Sequence, residues 1–337
     1  MCENISIVIT SVSSSANKIL QKFATESIHR GYHFIVIGDD GSPSKFNLSG
    51  CDFYSIKRQK RLKFEFSKIC PQNNYARKNI GYLLAMERKA SIIVETDDDN
   101  FPYDTFWKKR ERFNHVPIVF YAGWVNVYKY FSEMHIWPRG FPLEFVGSQA
   151  LPAWNALVPD YVNCPIQQGL SDENPDVDAI YRLILPLPIK FKKERKVALS
   201  AGSWCPFNSQ TTSWWRDAFP LMYLPSYCSF RMTDIWRSFV AQRIAWVNEW
   251  RILFHEPTVS QKRNIHNLMK DFQDEIPGYI HNVNICNVLQ ELKLSPGVDQ
   301  MSNNMKICYK KLVEMGLVDS KELILLDAWN NDLKLLH

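Results

Sequence analysis

The run Glu95-Thr96-Asp97-Asp98-Asp99-Asn100 sets three carboxylates side by side, directly after the apolar stretch Ser91-Ile92-Ile93-Val94. Three adjacent negative charges repel, so an ordered turn of this composition calls for a cation. Hard divalent ions such as Mg²⁺ and Mn²⁺ take oxygen ligands and commonly bridge carboxylates to a diphosphate. Asp97 and Asp99 form a D-x-D pair suited to a metal-bound nucleotide. The alternative is a solvated acidic loop that caps the next turn, since short motifs also match by chance.

The elements that must carry this turn alternate between strand and helix. Ile5 to Thr10 is a β-branched run, followed by a Ser-rich loop and a predicted helix through Ile19, Leu20, Phe23 and Ile28 that ends at Gly31. Phe34 to Gly38 reads as a second buried strand, terminated by Asp39-Asp40-Gly41, and Phe53 to Ile56 as a weaker third. Tyr75 to Ala90 reads as a helix, with Ile80, Leu83, Leu84 and Ala85 apolar. Such alternation implies an α/β fold with a mostly parallel sheet flanked by helices. Ligands of these sheets gather beyond the carboxyl ends of the strands, where Thr10, Asp39 and Asp97 all fall.

Residues 121–225 read as irregular, rich in Pro, Trp and Asn; long loops of this kind more often bind than link. Ile235 to Trp250 is an apolar helix with Thr233-Asp234 at its start, and Arg251 to Phe254 a short strand ending at His255. In the tail, Met301, Met305, Cys308, Leu312 and Met315 form one apolar stripe, and Asp319 with Glu322 resembles a capping box. The expected organisation is a main domain over 1–278 and a small C-terminal helical appendage over 279–337.

The 337 residues carry a formal charge of +5, too small an excess for nucleic acid when no recognition motif accompanies it. Two basic runs, Lys57 to Lys63 and Lys190 to Lys196, suit solvated loops, with peripheral contact to an anionic membrane face as the alternative. No apolar stretch is long enough to span a bilayer, and Met1-Cys2-Glu3-Asn4 lacks the layout of a signal peptide. The eight cysteines are scattered without a C-x-x-C pair, which fits reduced thiols in a cytoplasmic chain.

With the acidic tip after the second strand and the K-N-x-G helix start Lys78-Asn79-Ile80-Gly81, the D-x-D turn resembles the GT-A (Rossmann-like) class of nucleotide-sugar glycosyltransferases. Five stretches resemble the STELLO family in particular. They are Glu95 to Asn100, Trp137-Pro138-Arg139-Gly140-Phe141-Pro142-Leu143, Asn174 to Leu183, Pro206 to Thr212, and Phe230 to Arg243. A more distant likeness is to the reversibly glycosylated polypeptides, the UDP-arabinopyranose mutases. Plant STELLO proteins are membrane-anchored Golgi proteins, and the resemblance does not extend that location or a cellulose-related role to this chain.

The resemblance implies roles for individual residues. Asp99 would be the direct ligand of Mn²⁺ or Mg²⁺, with Asp97 binding the ion or the ribose and Asp98 holding the turn near the nucleotide. His255 matches the place where the mutase-like proteins carry a histidine, and its imidazole suits Mn²⁺; an ordinary histidine paired with a carbonyl is the alternative. Asp39 or Asp40 would accept from nucleobase or ribose, although Asp-Asp-Gly is also good turn chemistry. Thr10 and Ser11 would line the base pocket, and Lys78 would approach the phosphates while Arg77 faces solvent or the same pocket. Asp234 resembles the catalytic base that inverting enzymes place at a helix start, where an Asp is also a good cap. Asp176 and Asp178, sharing one side of an extended segment, would bind donor-sugar hydroxyls, or form a loop salt bridge. Trp137, Arg139, Asn208 and Gln210 suit sugar stacking and hydrogen bonding, with the tryptophan equally suited to the core.

The expected function is metal-dependent transfer of a sugar from a nucleoside-diphosphate sugar, a UDP-sugar first, to a carbohydrate or lipid-linked acceptor. A nucleotide-sugar mutase and a non-catalytic sugar-nucleotide-binding scaffold are the alternatives.

Overall fold

Ile5–Thr10 forms strand β1, and its side chains divide between two cores. Ile5, Ile7 and Ile9 pack on one face with Phe23 and Phe34, while Val8 packs on the other with Ile80 and Leu83. This period-two division, apolar on both faces, is what a strand covered by helices on each side requires. The computed structural model describes residues 3–147, 150–262 and 267–336. Helix α1 (Lys18–Arg30) begins at Asn17, whose side chain accepts from the Ile19 and Leu20 amides, and ends at Gly31 with φ 67°. Strands β2 (His33–Ile37), β3 (Asp52–Tyr54) and β4 (Ile92–Thr96) join β1 in parallel, in the order β3-β2-β1-β4. Helices α2 (Ile56–Gln59), α3 (Glu65–Ile69) and α4 (Lys78–Glu87) lie between β3 and β4, with α4 against β1 and β2.

The remaining strands are β5 (Asn100–Pro102), β6 (Phe113–Val119), β7 (Gly123–Trp124), β8 (Val158–Asn163), β9 (Ile166–Asp172), β10 (Lys196–Leu199), β11 (Ser203–Trp204), β12 (Thr211–Trp215) and β13 (Ile252–Gln261). The sheet runs on from β4 as β12-β9-β13-β10-β6-β8, with β5 paired to β13 and β7 with β11 as a separate ribbon. Two antiparallel steps, β4 to β12 and β12 to β9, restore the original direction, so β9 and β13 run parallel to β4. The carboxyl ends of β1, β2, β4, β9 and β13 therefore open on one rim, together with the amino end of β12. The first half of the sheet is wholly parallel and the second half mixed.

Several expectations are corrected here. Residues 121–225 hold strands β7 to β12, and β9 and β12 are central to the sheet. Being buried on both faces, Ile166–Asp172 and Thr211–Trp215 show no polar alternation, and their Gln, Thr and Trp content disguises them. Strand β13 does not end at Phe254 but continues through Pro257, where the register shifts, to Gln261. Proline normally marks the limit of a strand, and here a bulge accommodates it.

Helices α5 (Ala179–Ile184), α6 (Thr233–Val247), α7 (Leu268–Glu291), α8 (Met301–Glu314) and α9 (Glu322–Leu336) complete the chain. Helix α7 is continuous across residues 278 and 279, and Met305, Leu325 and Trp329 share one core with the sheet and α4. Asp319 and Glu322 make no capping box, because Glu322 is turned inward to the Tyr223 hydroxyl and the Ser226 and Tyr227 amides. Among the described residues no helix is long and apolar enough to cross a membrane.

Candidate active site

A cavity of about 540 Å³ opens on the rim described above, and the acidic turn forms one of its walls. The turn is tied down from below. The Asn17 side chain that caps α1 also donates to the Asp98 carbonyl at 3.1 Å, and the Asp98 carboxylate accepts from the Ser11 and Ser13 hydroxyls. Asp98 thus holds the loop after β1 to the loop after β4. Asp97 accepts from Lys78 Nζ at 2.7 Å and from the Tyr75 hydroxyl at 2.8 Å. Asp99 accepts at Oδ2 from Gln261 at 3.0 Å, while its buried Oδ1 has no partner among the described residues. Burial, with Asp97 and Asp98 close by, pushes the Asp99 carboxyl up to about 7. An orphaned, charge-crowded carboxylate oxygen is one that a cation would stabilise.

The opposite wall is built around Arg139. Its guanidinium forks onto Asp176 through Nε (2.8 Å) and Nη2 (2.9 Å), and onto Asp234 through Nη1 (3.0 Å) and Nη2 (2.9 Å). Gly140, in the left-handed region at φ 84°, lets this loop lie against α6, where a Cβ would meet Ile235. Burial alone would raise the Asp234 carboxyl, but the Arg139 guanidinium outweighs it and holds the group at about 2. Asp234 also accepts from the Ser209 amide at 3.2 Å, and Asn208 donates to Asp176 at 2.8 Å. Gln210 donates to Asn100 at 3.1 Å and so joins β5 to the start of β12.

Thr10, Ser11, Asp39, Asp97, Asp98, Asp99, Arg139, Asp176, Asn208, Gln210 and Asp234 all line this one cavity. Asp39 uses both oxygens on main-chain amides, those of Asn73 (2.9 Å) and Asn74 (3.0 Å), and so shapes the loop before α4. Asp40 is exposed and outside the lining. Arg77 does not face solvent: it is buried, lines the cavity and donates to Gln59 and to the Cys70 and Pro71 carbonyls.

Besides Asp40, Lys78 is also absent from the lining, and three further expected residues are not brought to the cavity. Asp178 is fully buried, capping α5 at the Tyr181 amide (2.7 Å) and accepting from Trp137 Nε1 (2.6 Å). The turn at Val177, whose amide bonds the Pro175 carbonyl, breaks the extended geometry that would have aligned Asp178 with Asp176. Trp137 is therefore a core residue. His255 lies mid-strand, six residues before the Gln261 that touches Asp99. The bulges at Pro257 take up two of those residues, so at about 3.3 Å per remaining step His255 lies roughly 13 Å along the strand from Gln261. Burial, with Arg110 and Lys196 nearby, pushes its imidazole down to about 4, so the ring is uncharged at neutral pH. Among the described residues no three His, Cys, Asp or Glu side chains converge as a metal cage.

Sequence reasoning missed Tyr75, Ser209 and Gln261. Ser209 sits inside the Pro206 to Thr212 stretch and Tyr75 just ahead of the K-N-x-G start, so proximity to motifs was the available signal. Gln261 was hidden by Pro257.

Comparison with known proteins agrees with the motifs. The sequence profile of the STELLO glycosyltransferases matches residues 231–337, which runs from the start of α6 to the end of the chain. The chain is 31% identical over 249 residues to the probable glycosyltransferase STELLO2 of Arabidopsis thaliana, covering 68% of this chain and 32% of that protein. This is a STELLO-like chain. To probable glycosyltransferase STELLO1 of the same plant it is 30% identical over 261 residues, covering 70% of this chain and 34% of the relative. The STELLO-like chain thus spans about a third of the length of the curated relatives it matches. Among solved structures, a mycobacterial protein overlaps with a TM-score of 0.44 at 10% identity, covering 84% of this chain and 75% of that one. The glucosyl-3-phosphoglycerate synthase of Mycobacterium tuberculosis, in complex with Mn²⁺, UDP-glucose and phosphoglyceric acid, overlaps with a TM-score of 0.42 at 10% identity, covering 84% and 80%.

Proposed function

We propose that this chain is a glycosyltransferase of GT-A type that moves a sugar from a nucleoside-diphosphate sugar, a UDP-sugar first, to a hydroxyl acceptor of carbohydrate or lipid-linked type. One observation carries the reading: Asp99, whose buried Oδ1 has no hydrogen-bond partner among the described residues, lines a cavity whose other wall is the Asp176–Arg139–Asp234 network. A rim of this kind, outside the carboxyl ends of parallel strands, is where nucleotides bind in α/β sheets.

In this reading Asp99 is the carboxylate that holds Mn²⁺ or Mg²⁺, with Asp97 beside it. A cation bound there would supply charge neutralisation for the departing diphosphate. Thr10, Ser11 and the Asp39-shaped loop line the nucleoside end. Asp176 and Asn208 face the sugar with acceptor and donor groups already oriented by Arg139. Asp234, fixed by Arg139 and Ser209, accepts a hydrogen bond from the incoming hydroxyl and so aims its oxygen. Its low proton affinity makes it an orienting group before it is a base.

Calorimetric titration with UDP in Mn²⁺ and in EDTA tests the reading. Mn²⁺ should tighten UDP by roughly tenfold or more, and Asp99→Asn should abolish that gain. Equal UDP affinity with and without metal, or an unaffected Asp99→Asn variant, would count against it. Asp234→Asn should keep UDP binding while UDP release from UDP-glucose falls.

A further inference from the structure

The mouth of the cavity has apolar lips. Val12 and Phe230 belong to its lining and are nevertheless 55% and 60% exposed. Arg182 lines it too, and the two residues that follow on α5, Leu183 and Ile184, are exposed, the second by 70%. Helix α7 is fastened alongside, because Glu275 accepts from the Ala179 amide at the start of α5 (2.7 Å) and from Arg231 Nε beside Phe230 (3.0 Å). Ile276 and Ile280, one turn apart on α7, are exposed as well. Single apolar residues scattered over a surface need no explanation, whereas a group gathered around one opening does.

Cations flank these lips on both sides. Helix α2 follows the carboxyl end of β3 on the same rim, where its Gln59 donates to the Gly38 carbonyl at the end of β2 (2.8 Å) and accepts from Arg77 of the cavity lining. Lys57 of α2, with Lys60 and Arg61 just beyond it, is exposed, and none of the three makes a salt bridge among the described residues. On the other side, the segment leaving α5 returns to the end of β9 through a bridge between Ile189 and Glu173. It carries exposed Lys193 and Lys190, the latter loosely paired with Glu173 at 3.6 Å. Apolar side chains beside unpaired cations match the two layers of an anionic bilayer face, its acyl boundary and its phosphates. A second copy of the chain is a poorer match, since each copy carries +5 and would bring the same unpaired cations with it. We propose that this rim is a docking face for an anionic lipid bilayer, with the cations on the phosphates, the apolar lips among the headgroups and the cavity opening onto the membrane surface.

Co-sedimentation with vesicles tests the docking face in the absence of nucleotide and metal, so its outcome is separate from that of the UDP titration. Vesicles of equal parts phosphatidylcholine and phosphatidylglycerol should bind the wild-type chain at least about tenfold more tightly than phosphatidylcholine alone, and less tightly as salt rises. Lys60→Glu/Arg61→Glu should cost that binding at least about tenfold. Lys89→Glu/Lys334→Glu makes the same change of charge at the far end of α4, where Lys89 meets the Leu336 carbonyl, and should cost less than about threefold. Ile184→Glu/Ile280→Glu should weaken binding at least about fivefold at an unchanged thermal midpoint, both side chains being exposed. No preference for the anionic vesicles, equal losses from the two charge-reversed pairs, or full binding by the isoleucine variant would overturn the proposal. So would a concentration-dependent dimer in sedimentation velocity that Ile184→Glu/Ile280→Glu dissolves, because the face would then belong to a second copy.

Discussion

Arg139 compensates two acids at once, and its replacement leaves both Asp176 and Asp234 inside the protein without their cation. Removing one partner of a buried ion network costs about 3–5 kcal/mol, mostly because the remaining charge stays desolvated. Arg139→Ala should therefore lose stability on that scale in urea unfolding. Arg139→Lys should recover only part of it, because an ammonium cannot fork onto two carboxylates. A loss below about 1 kcal/mol for the alanine variant would mean that the acids find water instead. The same pairing predicts an acid limb. Asp234 sits at about 2 in the folded protein against an ordinary 3.8, a depressed value. Its stabilisation is present above about pH 4 and is lost as pH falls towards 2, a swing of about 2 kcal/mol. Asp234→Asn should lack that swing, and identical acid unfolding of variant and wild type would remove the pairing from the stability account.

At the scale of elements, the K-N-x-G start of α4 combines two requirements on one turn. Lys78 reaches Asp97, and Gly81 lets the helix lie on β1 and β2, where a Cβ would collide with Val8 and crowd Ile37. Gly81→Ala should cost about 1–3 kcal/mol by overpacking, against the gain in helix propensity that the same change gives on an exposed helix. It should also weaken UDP binding, because α4 cannot shift without moving Lys78 and Tyr75; chemical denaturation and UDP titration on one sample check both. In this first half β1 to β4 and helices α1 and α4 were legible because the strands end in polar turns and these helices show apolar spacing, whereas α2 and α3, at four and five residues, are too short to show any. Asp97, Asp99, Asp39, Arg139 and Asp234 could be named from their motifs for the same reason. The second half hides its strands, since Gln167 and Gln168 are buried polar residues satisfied by long-range bonds to the Glu111 carbonyl and to Asn208 and Thr212, which a sequence does not display. Pro257 concealed the continuation of β13, and with it the distance between His255 and the turn. Asp178 was misjudged because cap geometry depends on a chain reversal at Val177.

Across the whole molecule, the C-terminal helices close the same core that supports the acidic turn. Asp332 of α9 accepts from the amides of Glu65 and Phe66 at the start of α3, at 2.7 and 2.8 Å, and the Trp329 ring packs at a tilt against Tyr223. Glu322 holds the 223–227 segment, and Ser226 in that segment accepts from Asn74 beside the cavity. A continuous core with polar ties at both ends predicts one cooperative unfolding peak in calorimetry, with equal calorimetric and van't Hoff enthalpies; two peaks would mean that the tail unfolds by itself. Glu322 supplies a sharper probe of the same link. Burial pushes its carboxyl up to about 6 from 4.5, against the bonds from Tyr223, Tyr227 and Ser226 that pull it down. A raised folded value means stability that is complete below about pH 4.5 and is lost as pH rises through 6. The loss amounts to about 2 kcal/mol. Glu322→Gln cannot ionise and should be insensitive over that window, though it sits lower throughout because one amide oxygen cannot serve all three donors. The gap between wild type and variant should accordingly narrow by about 2 kcal/mol between pH 4.5 and 7. A gap that stays constant would show that water reaches Glu322, and that the junction between tail and cavity is looser than this packing implies.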